Sequence, residues 1–331
     1  MSATWEIRGG DVLDHLRGID AGSIQCCITS PPYFGLRDYG LPASMWGDGW
    51  IGCLGLESSV DQFVVHLVEV FAEVRRVLRP DGTLWLNLGD SYARSAGPRN
   101  GNFGRSAKGI GIPDGNRDSR GRHGVKGKDL LGIPWMAAFA LRADGWFLRS
   151  EIIWSKPNPM PEAVQDRPTK AHEQVFLLSK QAAYYYDAAA IAELSKDWST
   201  GGPGTGILST EHYGAGNGGN SGLGALAARY KRGEAQQKRN KRSVWTVATR
   251  PYPAAHFATF PARLIEPMVL AGCPGGGLVL DPFAGSGTTL QVAVERGRNA
   301  LGIELNPAYV ALAEKRLSGV TAPLFTSSEA A

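Results

Sequence analysis

Between residues 60 and 78 the apolar side chains Val60, Val64, Leu67, Phe71, Val74 and Leu78 recur at spacings of four and three. That period places them on one face of an amphipathic helix. Ser59 with Gln62 forms a capping box at its start, and "RPDG" at 79–82 ends it. The next run, "TLWLNLGD", predicts a buried strand. A second series follows "PGGG" at 274–277: "LVL" predicts a short strand, "TTLQVAVER" a helix stopped by Gly297, and "NALGIEL" another strand. Asn306 and Pro307 then open a last helix that runs to about Gly319. Strands alternating with helices build a mostly parallel, doubly wound α/β sheet with helices on both faces. Nearer the N-terminus a short apolar run, "SIQCCI", gives way at once to "TSPPYFGLRDYG" at 29–40. There a chain leaving a sheet is stiffened by two prolines and given an aromatic ring. No internal repeat at solenoid periods is present.

The 331 residues, 43% of them hydrophobic, suffice for a substantial core in one large domain or two ordinary ones. Glycine supplies 43 residues, and 20 of these fall in 97–132 and 201–224. Both stretches are expected to be long loops, since glycine is costly to order and packs nothing. A net charge of +4 identifies no partner by itself. Its distribution says more: nine Lys or Arg face only Asp114 and Asp118 between Arg94 and Lys128, and seven face only Glu234 between Lys231 and Arg250. Such runs suit a polyanion, with a solvated loop as the alternative. Cys26, Cys27, Cys53 and Cys273 form no C-x-x-C pair or disulfide framework, so reduced thiols are expected. The six histidines are scattered singly and no metal site is expected. The N-terminus lacks a secretory pattern and no apolar run reaches the roughly 18 residues of a membrane span, so a cytoplasmic, non-membrane protein is expected.

Candidate chemistry concentrates in "LVLDPFAGSGTT" at 278–289, a strand, an acid, a glycine turn and a helix start in succession. Gly285 and Gly287 let the backbone approach a ligand, and the helix N-terminus presents free N–H groups beyond the strand's carboxyl end. Glu304 follows Asp281 by 23 residues at the end of the next strand, where an acid can accept hydrogen bonds from both hydroxyls of a ribose. A Walker loop would need Lys followed by Ser or Thr, and a dinucleotide site would show a third glycine.

With these motifs the chain resembles the S-adenosylmethionine-dependent DNA amino-methyltransferases. "DPFAGSGTT" is similar to their cofactor loop, "GIELNPAY" at 302–309 to their ribose-binding acidic motif, and "TSPPY" to their catalytic motif. The catalytic motif precedes the cofactor loop, as in the permuted beta group. The resemblance runs from Gly10 to Leu317 outside the two glycine-rich loops. It implies a Rossmann-like methyltransferase fold, S-adenosyl-L-methionine as cofactor, and cofactor roles for Asp281, Phe283, Gly285, Ser286, Gly287 and Glu304, with Asp281 near the methionine ammonium. Asp11 matches a position near the adenine ring, or is a helix cap. "AHFATFPARL" at 256–265 resembles the segment closing over the methionine end, so Thr259, Phe260 and Pro261 are further candidates, with Phe260 alternatively in the core.

The resemblance makes Ser30, Pro31, Pro32 and Tyr33 the catalytic turn. An exocyclic amine on a base is a poor nucleophile because its lone pair is delocalised. Acceptors at the amine, Ser30 Oγ and the Pro31 carbonyl, favour a less planar nitrogen and accept its developing charge. The prolines stiffen the turn that presents that carbonyl, and Tyr33 would stack on a base flipped out of its duplex. In the family, serine at this position commonly goes with cytosine N4 and an acidic residue with adenine N6. Cytosine N4 is therefore expected, with adenine N6 as the alternative. No Pro-Cys dipeptide occurs to support methylation at carbon 5.

Residues 145–180 resemble the family segment that helps form the base pocket. Trp154 is expected in the core or on the pocket wall, near Lys156, Asn158 and Pro159, while Arg167, His172 and Glu173 form a supporting polar network. Residues 1–194 would be the catalytic half, including a flexible basic loop at 91–130, and 195–250 an inserted target-recognition region. There Lys231, Arg232, Lys238, Arg239, Lys241 and Arg242 would meet DNA, or the segment is a mere linker. Residues 251–320 would be the cofactor-binding half and 321–331 a flexible tail. The expected partners are double-stranded DNA with a short target site and a separately acting restriction endonuclease. Monomer and homodimer stay open. From another class, the chain could be a DNA-binding protein with an inactive methyltransferase fold.

Overall fold

The computed structural model describes residues 3–35, 40–93, 125–194, 238–249 and 260–320. Lys231, Arg232, Thr259, most of 91–130, all of 201–224 and the tail 321–331 lie outside the described residues. The first half of the chain gives β1 (Trp5–Gly9), α1 (Val12–Arg17), β2 (Ile24–Thr29), β3 (Ser44–Met45), β4 (Ile51–Gly52), α2 (Val60–Val77), β5 (Leu78–Leu88), α3 (Ile133–Ala143) and β6 (Phe147–Ser155). The second gives β7 (His172–Ser179), β8 (Glu193–Leu194), β9 (Lys238–Arg239), β10 (Val244–Thr246), α4 (Ala262–Gly272), β11 (Leu278–Asp281), α5 (Thr288–Glu295), β12 (Asn299–Glu304) and α6 (Pro307–Ser318).

Eight strands form one sheet in the order β1-β12-β11-β2-β5-β7-β6-β10. Among the described residues β7 alone runs against the rest, pairing antiparallel with β5 and β6. The sheet is thus mostly parallel, as the alternating pattern implies. Successive residues of β5 serve opposite faces. Leu84, Leu86 and Leu88 join the core with α1, α2 and α3. Trp85 faces α4, where a Cβ on Gly272 would lie 2.5 Å from its indole nitrogen. Helices therefore cover both faces, and the fold is Rossmann-like. No helix of the described residues is long and apolar enough to cross a membrane.

Local signals hold where the chain chemistry is strong. Ser59 Oγ accepts from Gln62 N at 3.2 Å to cap α2, whereas the Gln62 side chain turns to Ser58 and Asp48 and leaves the reciprocal half of the box unmade. "RPDG" does end the helix, but the strand begins earlier than residue 83. Leu78 is extended (φ −67°, ψ 142°) and pairs with Ile24, and the register then shifts so that Thr83 pairs with Cys26. The four intervening residues are a bulge, favoured because Arg79 precedes proline and avoids helical ψ. Asn306 Oδ1 caps α6 through Ala308 N at 2.9 Å, and Gly297 (φ 74°) follows α5.

By contacts the chain falls into two units, 1–187 with 243–331, and 188–242. The first contains the whole eight-stranded sheet. Residues 243–249, grouped with the insertion by sequence, belong to it: β10 pairs with β6, and Trp154 Nε1 donates to Val247 O at 2.8 Å. In the second, β8 pairs antiparallel with β9.

Candidate active site

The strand order places every strand-end polar residue of interest along one edge of the sheet. Asp11 follows β1, Glu304 ends β12, Asp281 ends β11, Ser30 follows β2, and Asn87 lies at the end of β5. Because β7 is reversed, its first residues His172 and Glu173 lie beside the last residues of β6, and Lys156 follows there. Residues up to 293 positions apart in the chain, Asp11 and Glu304, thereby become neighbours, and Gly10 N donates to Glu304 O at 3.0 Å.

The loop after β11 is shaped by its glycines. Gly285 (φ 51°) and Gly287 (φ 78°) are left-handed, and a Cβ on Gly287 would lie 2.9 Å from that of Ala313. Glu304 ties the loop to β12, its two oxygens accepting from Gly285 N and Asn306 N, each at 2.8 Å. Burial raises its pKa against those two bonds. Asp281 is fully enclosed. Its Oδ1 accepts from Thr29 Oγ1 at 2.6 Å and Phe283 N at 3.1 Å, while Oδ2 has no partner. Burial pushes its pKa up to about 6, against the nearby Thr289 hydroxyl and these two bonds. Ser286 Oγ is likewise buried without a partner. Leaving a buried acceptor unmatched costs about 1–3 kcal/mol, so the pair marks a cradle suited to a ligand that brings donors. Phe283 packs against the hydrophobic core.

The turn after β2 is bound differently. Pro31 is buried and Ser30, Pro32 and Tyr33 are half-buried. The Tyr33 hydroxyl donates to Glu173 Oε2 at 2.7 Å and accepts from Asn87 Nδ2 at 2.9 Å. Asn87 Nδ2 also reaches Glu173 Oε2 at 2.9 Å and Ser30 Oγ at 3.3 Å, and Ser30 Oγ makes a long contact of 3.5 Å to Tyr33. Lys156 closes the cluster with an ion pair to Glu173 Oε1. Burial, and then the Glu173 charge, hold the Tyr33 phenol well above its ordinary pKa. The ring lies so close to Gly89 that a Cβ there would meet Tyr33 Cε2 at 2.4 Å. Of the expected polar network, Glu173 is central, His172 is exposed, and Arg167 is elsewhere, bonded to Glu162 at 2.6 Å and lying 3.7 Å over the Tyr92 ring. Trp154 is core, with Lys156 Nζ 4.2 Å from its ring centre.

Asp11 caps α1, its Oδ1 accepting from Leu13 N at 2.8 Å and Asp14 N at 3.2 Å, and its Oδ2 takes a bond from Ser44. Pro261 is buried at the start of α4, with Phe260 half-buried before it. In the second unit Arg239, Lys241 and Arg242 converge on Glu193, at 3.6, 3.6 and 3.0 Å. Burial opposes the Glu193 charge, but Arg242 and Lys241 prevail and keep its carboxyl below the ordinary range. Lys238 pairs in β9 beside them.

Thr29, Asn87 and Gly89 escape sequence reasoning. Only "NLGD" at the end of an apolar strand hinted at the last two, since polar or glycine residues closing a buried strand face the ligand side.

Comparison with known proteins bears on this geometry. Residues 24–315 match the family model described as DNA methylase, of the N6 and N4 type. The Type II methyltransferase M.Cfr9I of Citrobacter freundii is 44% identical over 317 residues, 94% of this chain and 86% of the relative. M.SmaI of Serratia marcescens is 41% identical over 317 residues, 93% and 89% of the two chains. Among solved structures, the Thermus thermophilus protein TTHA0409 complexed with S-adenosyl-L-methionine superposes with a TM-score of 0.56 at 23% identity, covering 97% of each chain. The cytosine-N4-specific PvuII DNA methyltransferase gives 0.59 at 19% identity over 96% and 87%.

Proposed function

The chain belongs to the N6 and N4 DNA methylase family, and from that premise we propose that it methylates the exocyclic N4 amine of cytosine in double-stranded DNA. It is a DNA methyltransferase and its cofactor is S-adenosyl-L-methionine. The row of polar residues along one sheet edge supports amine methylation, because it sets the unmatched acceptors of the β11 loop beside the SPPY turn, and Ser30 in that turn supports cytosine as the base.

The cofactor supplies a methyl group activated on a sulfonium. Asp281 Oδ2 is the acceptor left over for its ammonium, and Glu304, already holding Gly285, keeps lone pairs for the ribose. Thr29, the residue before Ser30, donates to Asp281, so cofactor and target loops share one bond. At the turn, Asn87 Nδ2 shares its two hydrogens among Tyr33, Glu173 and Ser30 Oγ, and the Ser30 hydroxyl hydrogen points to Tyr33. A lone pair of Ser30 Oγ is left to accept from the base amine together with the Pro31 carbonyl. Glu173, Asn87 and Gly89 fix Tyr33 for stacking on the flipped base. The basic residues Lys231, Arg232, Lys238, Arg239, Lys241 and Arg242, with loop 91–130, read and hold a short target site. The Type II names of the relatives support a separately acting endonuclease as the partner activity.

The test is Ser30→Ala assayed on duplex DNA with labelled cofactor. Calorimetry should show cofactor affinity retained while most turnover is lost. Full turnover in this variant would sink the mechanism.

A further inference from the structure

Neither loop uses the one buried imidazole of α2. His66 is completely enclosed and stacks on Trp46 (4.4 Å between centres, 23° between planes) and Trp50 (5.2 Å, 18°). Its Nδ1 is hydrogen-bonded to Glu57 Oε1 at 2.9 Å, and its Nε2, which makes no hydrogen bond, lies 3.3 Å from Asp48 Oδ1. All four partners belong to residues 44–57, the β3–β4 hairpin and the turn after it. The hairpin is closed by Trp46 N donating to Trp50 O at 2.9 Å and Trp46 Nε1 to Gly52 O at 3.0 Å. A single helix residue thus grips a segment that has almost no strand pairing of its own.

The gripped segment touches the candidate active site at both ends. At one, the Ser44 hydroxyl donates to Asp11 Oδ2. At the other, Glu57 Oε2 accepts from Gly55 N at 2.8 Å, and Gly55 O accepts from Gly35 N at 2.8 Å. Gly55 also approaches the turn so closely that a Cβ would lie 3.1 Å from the Tyr33 carbonyl oxygen. Glycine is required there on a second count, its φ being 95°.

We propose that His66 is a positioning residue for methyl transfer, holding residues 44–57 as a strut that sets Asp11 at one end and the Ser30–Gly35 turn at the other. This rests on the role proposed above for Ser30 and on Asp11, besides capping α1, standing near the adenine ring as the family resemblance implies. A histidine that merely fills the core would, when replaced, lower the melting temperature and leave the kinetic constants of the folded fraction alone. A strut has two separable arms.

The test uses the full chain and cuts the arms one at a time. Ser44→Ala removes one hydrogen bond, so the cofactor Kd should rise about fivefold while kcat at saturating cofactor falls less than about twofold. Glu57→Gln turns one of two acceptors into a donor facing Gly55 N–H or His66, so kcat should fall about tenfold with the cofactor Kd within about twofold. His66→Gln should show both effects. If that variant does not fold, the two arm variants carry the test alone. The strut is overturned if both arm variants change the same constant, or change only the melting temperature. Asp11→Ala separates this from failure of the underlying assignment. An unchanged cofactor Kd in Asp11→Ala removes Asp11 from the site and the first arm with it, whereas a weakened Kd there beside a silent Ser44→Ala refutes the strut alone.

Discussion

The loop after β11 and the turn after β2 close neighbouring, paired strands, yet they handle buried polarity in opposite ways. After β11, a fully buried acid keeps one oxygen without a partner and Ser286 keeps its hydroxyl unmatched. After β2, the Tyr33 hydroxyl both donates and accepts, and Glu173 takes bonds from Tyr33, Asn87 and Lys156, although the buried Asn87 Oδ1 has no partner. The first arrangement leaves a desolvation cost that a cationic ligand relieves, so affinity comes from the gap. The second spends most of its hydrogen bonds in advance, so its geometry is fixed without a ligand. One loop is built to be filled and the other to hold still.

The contrast can be broken most severely at Glu173. Glu173→Gln keeps the shape but leaves Lys156 without its counter-ion and turns half of the acceptor into a donor. Losing a largely buried pair costs on the order of 3 kcal/mol, so turnover should fall roughly a hundredfold while calorimetry finds cofactor affinity unchanged. A comparable loss of cofactor affinity would show that the two loops are not separately organised.

Next comes the acid. A carboxyl whose pKa is raised to about 6 holds its proton more tightly in the folded chain than in the unfolded one, where the value is 3.8. Without cofactor, stability should therefore fall as pH rises between about 4 and about 6, by up to about 3 kcal/mol. Affinity for a ligand ammonium should rise over the same interval, as Asp281 becomes charged. Asp281→Asn should flatten both trends and weaken cofactor binding, and melting curves with calorimetry at several pH values would measure each. Persistence of the pH-dependent affinity in Asp281→Asn would assign it to another group.

A smaller effect is expected at Gly89. The added methyl of Gly89→Ala would meet the Tyr33 ring at 2.4 Å, and overpacking of this kind costs about 1–3 kcal/mol. Turnover should drop about tenfold with the cofactor Kd unmoved, and an unaffected kcat would mean that the ring position is not critical. Smallest of all is Glu193→Gln. The ion pairs around Glu193 are partly exposed, where such pairs are worth about 0–1 kcal/mol. Removing the carboxylate charge they share should tighten DNA binding only a few-fold in a salt-dependent manner, read by fluorescence anisotropy. A large change would upset the view that burial, rather than charge count, makes the β2 cluster consequential.

How far the chain could be read from its sequence follows the range of the forces involved. The β11–α5–β12–α6 run was legible because its signals are local: left-handed glycines, an asparagine cap, and apolar spacing like that on α2. The bulge at residues 79–82 was not, because a strand that starts on Leu78 is decided by pairing with Ile24. Glu173 could be suspected as a polar group, but its bond to Tyr33, 140 residues away, depends on β7 being reversed in the sheet. Thr29 and Asn87 look like ordinary strand residues until strand order sets them beside Asp281 and Tyr33. The indoles on His66 are equally silent in the sequence, since helix α2 alone gives no reason for a buried imidazole.

The most direct measurement is to incubate the purified protein with unmethylated duplex DNA and S-adenosyl-L-methionine, digest to nucleosides, and identify the product by mass spectrometry. N4-methylated cytosine is the expected product. N6-methylated adenine would contradict the serine-based choice of base while keeping the fold and the amine chemistry, and carbon-5 methylation would contradict the mechanism itself.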